Sequence, residues 1–126
     1  MTNSRGDNES KQHESMVRSM VDEYKKDGTN KILGADLDGY PKPQELDGRI
    51  PDIIVKTSTS YIILEAETCD SIEWDDTKSQ LTVFYNYATK NNVKFDMVVP
   101  KSCIDKVNKK LSEWKISASV WTAGNF

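Results

Sequence analysis

The chain has 126 residues, with 17 Lys and Arg against 20 Asp and Glu and a formal net charge of −3. That length suits one domain and leaves no room for a second, and the acidic balance excludes the basic excess of a general nucleic-acid coat protein. The longest unbroken apolar run, Tyr61-Ile62-Ile63-Leu64, is too short for a membrane-spanning helix or a signal-peptide core, so a cytoplasmic protein is expected.

Residues 1–12 hold one apolar residue, Met1, among Ser, Asn, Asp and Gly; they are expected to form a flexible tail ahead of a single domain over 13–126. From His13 onward, Met16, Val17, Met20, Val21 and Tyr24 recur at helical spacing as one apolar stripe. Gly28, after Asp27, is the expected left-handed cap. A short strand over Ile32–Leu37 follows, and then Pro41 and Pro43 force an extended loop. Asp52–Lys56 and Tyr61–Glu67 read as a hairpin around Thr57–Ser60. Leu81, Phe84, Tyr85 and Ala88 mark a second helix between Asp75 and Lys90, with Asp75, Asp76 and Thr77 as starting residues. Val93–Val99 reads as a buried strand ended by Pro100. Ser102 then caps a helix with Ile104, Val107, Leu111 and Trp114 on one face, and Ile116–Trp121 alternates as an edge strand. Trp74 and Trp121 are expected in the core. The order helix, three strands, helix, strand, helix, strand predicts an α/β domain with a mixed sheet between helices.

Cys69 and Cys103 lie 34 residues apart with no CxxC pair and a single His in the chain. Zinc-site spacing is absent, and two reduced thiols are the expectation for a chain read as cytoplasmic.

The chemistry concentrates on the hairpin. A turn centred on Ser58-Thr59 sets Asp52 directly opposite Glu65, with Cβ atoms about 5 Å apart, and Glu67 on the same face as Glu65. Such carboxylates repel and raise one another's pKa. A divalent cation relieves this, since Mg²⁺ takes one or two carboxylates plus phosphate oxygens; metal-assisted phosphodiester hydrolysis is the matching reaction. The plain alternative makes Asp52 a strand-start residue and Glu65 and Glu67 solvated strand residues. Against it, both glutamates follow an apolar run that reads as buried, where an unpaired carboxylate is costly.

Gly48-Arg49-Ile50-Pro51-Asp52, followed by Tyr61-Ile62-Ile63-Leu64-Glu65-Ala66-Glu67, resembles the PD-(D/E)xK nuclease signature of restriction endonucleases and Holliday-junction resolvases. The αβββαβ core of that superfamily matches the order read above, with an extra C-terminal helix and strand. The resemblance implies that Asp52, Glu65 and Glu67 are metal ligands and catalytic residues. It also implies that Glu14 on the first helix is a further ligand, with Glu23 competing for that role. Gln80, in Gln80-Leu81 with Phe84 or Tyr85 a turn on, would orient the site or the nucleophilic water. Mg²⁺ or Mn²⁺ as cofactor, duplex or branched DNA as substrate, endonuclease activity and a homodimer follow from the same resemblance. Glu67 departs from the pattern, standing where the superfamily usually has lysine; a minority of restriction enzymes carry Glu-x-Glu. Lys78 is the nearer candidate for a migrated lysine, and Lys56 lies too far along its strand. Two alternatives stand beside this reading: a catalytically inactive member of the fold that binds nucleic acid or protein, and a structural partner whose acids are merely exposed.

Charge is polarised along the chain. Glu65–Asp76 carries six acids and no base, while Lys90–Lys115 carries seven lysines and three acids, so DNA would lie along the lysine-bearing end.

Overall fold

Ile53-Ile54-Val55 and Ile62-Ile63-Leu64 are apolar at every position, and both faces of these strands are buried. A sheet of that kind needs helices on both sides. The computed structural model describes residues 6–123. They run α1 (Asp7–Lys25), β1 (Lys31–Ala35), β2 (Ile53–Lys56), β3 (Tyr61–Ala66), α2 (Thr77–Asn91), β4 (Lys94–Pro100), α3 (Ile104–Trp114) and β5 (Ser119–Ala123). This is the predicted α/β order. The strands lie in one sheet in chain order. β1, β2 and β3 form an antiparallel meander, whereas β3, β4 and β5 are parallel neighbours, each joined by the helical crossover that parallel pairing requires.

Alternate strand residues feed two cores. On one face Met16, Val17, Met20, Val21 and Tyr24 of α1 pack on Ile53, Val55, Leu64 and Val98. On the other, Leu81, Phe84 and Ala88 of α2 and Val107 and Leu111 of α3 pack on Ile54, Ile63, Phe95 and Met97. The hairpin register pairs Ile53 with Leu64 and Lys56 with Tyr61, the pairing expected from the turn, where Thr57 Oγ1 accepts the Ser60 N–H at 2.9 Å. β4 is flanked on both sides and β5 is an edge strand, as expected.

Several local expectations are corrected. Residues 7–12 are not a tail: they are the first turns of α1, and Glu9 accepts a hydrogen bond from Thr68 Oγ1 at 2.9 Å. A polar segment extends a nucleated helix at one hydrogen bond per residue, without an apolar stripe of its own. Residues 1–5 lie outside the described residues. Gly28 is not a left-handed cap. The helix ends at Lys25, and the Asp27 carboxylate closes the next turn by accepting the Thr29 N–H and hydroxyl at 3.0 and 2.7 Å. Ser102 lies in a 3-10 turn (Lys101–Cys103) ahead of α3 and makes no cap hydrogen bond. Trp121 stays 37 % exposed, edge-on to the Tyr24 ring, with its Nε1 donating to the buried Asp96 at 3.2 Å.

Cys69 and Cys103 form a disulfide, which corrects the expectation of two free thiols. The fold brings the loop after β3 against the turn after β4, because those two strands are parallel neighbours and their carboxyl ends are adjacent. The free-thiol expectation rests on the cytoplasmic placement, and a disulfide is uncommon in a reducing cytoplasm. Among the described residues no helix is long and apolar enough to cross a membrane.

Two stability measurements follow. A Cβ at Gly34 would sit 2.6 Å from Pro43 Cα, so Gly34→Ala is expected to cost about 1–3 kcal/mol in urea denaturation. Gly28→Ala, with nothing within 4 Å, is expected to change little. Replacing both cysteines by alanine is expected to lower unfolding free energy by about 3–4 kcal/mol on the chain-entropy account of a loop this long.

Candidate metal centre

The candidate site forms where one end of the sheet meets α1 and α2. Asp36 follows β1 and donates its N–H to Asp52 O at 2.8 Å, carrying the β1–β2 pairing one step beyond the strands. Asp52 enters β2 directly after Pro51. Its N–H is shared between Leu64 O at 3.1 Å and Glu65 Oε1 at 2.8 Å, and its Oδ2 accepts the Ala66 N–H at 2.8 Å. The carboxylate is thus pinned across the end of β3 with 13 % of its side chain exposed. From α1, His13 Nε2 lies 3.1 Å from the same Oδ2. His13 continues the apolar stripe one turn before Met16 and Val17, so packing of that stripe buries the imidazole to 7 % exposure. With exposed Asp36 it completes a group of three whose ligand atoms all lie within 4.8 Å of one another.

Glu65 backs this group from the α2 side. It is 2 % exposed, and its second oxygen accepts a hydrogen bond from Gln80 Nε2 at 2.9 Å. Burial first, then the charges of Asp52 and Glu67, push its pKa well above the usual carboxylate range. Glu67 is also buried, and its Oε1 accepts from Ser71 Oγ at 2.7 Å. Ser71 is held in turn by the Thr68 N–H, which donates to its Oγ at 2.8 Å, and its own N–H donates to Thr68 Oγ1 at 2.9 Å.

The sequence-derived residues therefore divide. Asp52, Glu65 and Gln80 are joined by direct hydrogen bonds. Glu67 faces the turn that follows β3. Glu14 is exposed on the rim, 3.6 Å from Arg18, and Glu23 pairs with Lys26 near the end of α1. The helical side chain that meets Asp52 is His13, one position earlier, because successive helical residues turn by about 100°. Asp36 and Ser71 were also outside the sequence reading. His13 had a legible signal, a lone imidazole in phase with an apolar stripe; Asp36 had none, since only the β1–β2 pairing brings it to Asp52.

In front of the group opens a cleft of about 520 Å³ whose walls include Glu14, Asp36, Asp38, Tyr40, Lys42 and Asp52. Lys42 is the basic residue on that cleft. Lys78 is exposed on α2 and does not line it, and Lys56 stands at the far end of β2, opposite Tyr61.

Comparison with known protein families, with curated proteins and with solved structures finds no match. The donor atoms of His13, Asp36 and Asp52 lie close enough together that the group could hold a metal ion.

The Glu65 shift has a definite sign. A carboxyl that holds its proton more tightly when folded stabilises the fold fully below its unfolded pKa, and that stability is lost as pH rises through the folded pKa. Glu65→Gln keeps an oxygen for the Asp52 N–H and, with the Gln80 amide reversed, keeps that hydrogen bond. The variant is expected to unfold at a higher temperature than the parent at neutral pH and to lose the parent's decline on the alkaline side of the ordinary carboxylate range, measured as melting temperature against pH.

Proposed function

We propose that the chain is a metal-dependent DNA endonuclease of the PD-(D/E)xK kind. The observation that carries this reading is the pairing of Asp52 with Glu65 at the end of the hairpin, with Gln80 of the following helix hydrogen-bonded to Glu65. Asp52 and Glu65 of the signature meet in a chain whose element order is that of the superfamily core. No comparison with known proteins adds to it.

The residues divide the work by position. Asp52 and Asp36, with His13 above them, form the donor set at the cleft. Glu65 holds the Asp52 backbone through its N–H and is itself held by Gln80, so the orientation of Asp52 is set from both sides. A divalent cation, Mg²⁺ or Mn²⁺, would polarise a phosphate oxygen and lower the pKa of a water when bound there. Lys42 offers positive charge to a phosphate entering an otherwise acidic cleft. Duplex or branched DNA is the substrate class, and a twofold dimer is expected, since a chain of this size does not enclose a duplex alone.

A second reading, a catalytically silent binding module, draws on one observation. Among the described residues, Asp52 and Glu65 are met by backbone amides, His13 and Gln80 rather than by a lysine, and Glu67 holds the position where the superfamily has that cation. The two are separated by incubating branched, duplex and single-stranded DNA with Mg²⁺ or Mn²⁺. Cleavage that falls about 100-fold or more in Asp52→Ala supports the nuclease. DNA retained equally by parent and variant, with no cleavage by either, supports the binding module.

A further inference from the structure

We infer that His13 makes the candidate site select a first-row transition-metal dication over Mg²⁺; the inference rests on the metal site proposed above and goes beyond it to the class of ion. The dication that suits a site made only of carboxylates is a hard one, which prefers oxygen and keeps most of its waters. This site differs in one donor. The imidazole of His13 offers a ligand atom within 4.8 Å of one from each of the Asp52 and Asp36 carboxylates. A neutral nitrogen adds little for Mg²⁺ and much for cobalt, nickel or zinc, whose affinities rise along the first row.

The placement of the imidazole supports a ligand role. His13 is already buried by the packing of α1, so the desolvation of its ring is borne by the fold and not by metal binding. Its Nε2 is aimed at Asp52 from α1, the Asp52 carboxylate is held by the Ala66 N–H at the end of β3, and the Asp36 backbone is held to the Asp52 carbonyl. Three separate elements thus bring one donor each to a common point, an arrangement that resists collapse when a cation replaces the proton between His13 and Asp52.

The chain also makes the inference unusually easy to isolate. It contains one histidine, and both cysteines are tied in the disulfide, leaving no free thiol. His13 is therefore the one imidazole or thiolate donor that a borderline metal can find in the oxidised protein.

The test titrates the full-length oxidised chain with Co²⁺, Mn²⁺ and Mg²⁺, following melting temperature and binding heat, in the parent, His13→Gln and Asp52→Asn. The expected result is Co²⁺ binding at least about tenfold tighter than Mg²⁺ in the parent, with that ratio collapsing in His13→Gln while Mg²⁺ affinity is kept. A structural role for His13 would instead weaken every ion alike and leave the ratio unchanged, which overturns the inference. A second readout needs no variant: in ¹⁵N-labelled parent protein, Zn²⁺ is expected to shift the Nε2 resonance of the single imidazole and Mg²⁺ to leave it in place. An Nε2 resonance indifferent to Zn²⁺ overturns the inference. Equal binding of Co²⁺ and Mg²⁺, abolished by Asp52→Asn, overturns the selectivity alone and leaves the metal site standing. No binding of any dication overturns both.

Discussion

Asp52 gives its backbone N–H to Glu65 across the hairpin, and the surrounding structure is organised by what that bond brings together. It sets one carboxylate beside another at a nearly dry end of the sheet, where charge is costly unless each oxygen is met. The Ala66 N–H meets Asp52, Gln80 meets Glu65, and Ser71 meets Glu67. These donors come from the strand end, from α2 and from the turn after β3. Burial, and after it the charges of Asp52 and Glu67, raise the pKa of Glu65, and a proton or a cation can relieve the excess of negative charge.

The scaffold holds this arrangement by packing rather than by the site's own contacts. α1 closes one face of the sheet and delivers His13; α2 closes the other and delivers Gln80. The disulfide lies two residues beyond Glu67 and ties that loop to the turn after β4. On the other side, the 36–52 connection is pressed onto β1 where Gly34 leaves room for Pro43, and Ala35 donates its N–H to Pro41 O at 3.0 Å. The elements that carry Asp36, Asp52 and Glu67 are thus each anchored to the sheet close to the residue they present.

Charge along the chain and charge in space differ. The stretch from Glu65 to Asp76 contains no base of its own, yet Arg49 grips Asp76 through both guanidinium nitrogens and Lys106 lies 3.2 Å from Glu73. Asp96, inside the lysine-rich stretch, is sealed under α1 with the Tyr24 hydroxyl donating to it at 2.8 Å. Part of the apparent polarity is therefore neutralised by distant partners, while Asp36, Asp38 and Asp52 line one cleft with Lys42.

The element order, both amphipathic faces and the opposition of Asp52 to Glu65 were legible in the amino-acid sequence alone. They rest on short-range rules: a 3.6-residue or two-residue period, and a turn whose length sets the register of its own hairpin. Gln80 was legible only through resemblance to a signature. What the sequence could not decide were the contacts between elements that no local period links. Glu14 and His13 are neighbours in the chain, but the rotation of α1 against the sheet turns His13 inward and leaves Glu14 on the rim. Asp36 joins Asp52 only because β1 pairs with β2, and Cys69 meets Cys103 only because β3 and β4 run parallel side by side. Tertiary structure chose those partners, since separations of tens of residues are closed by packing of the whole core and not by any preference written into the residues between.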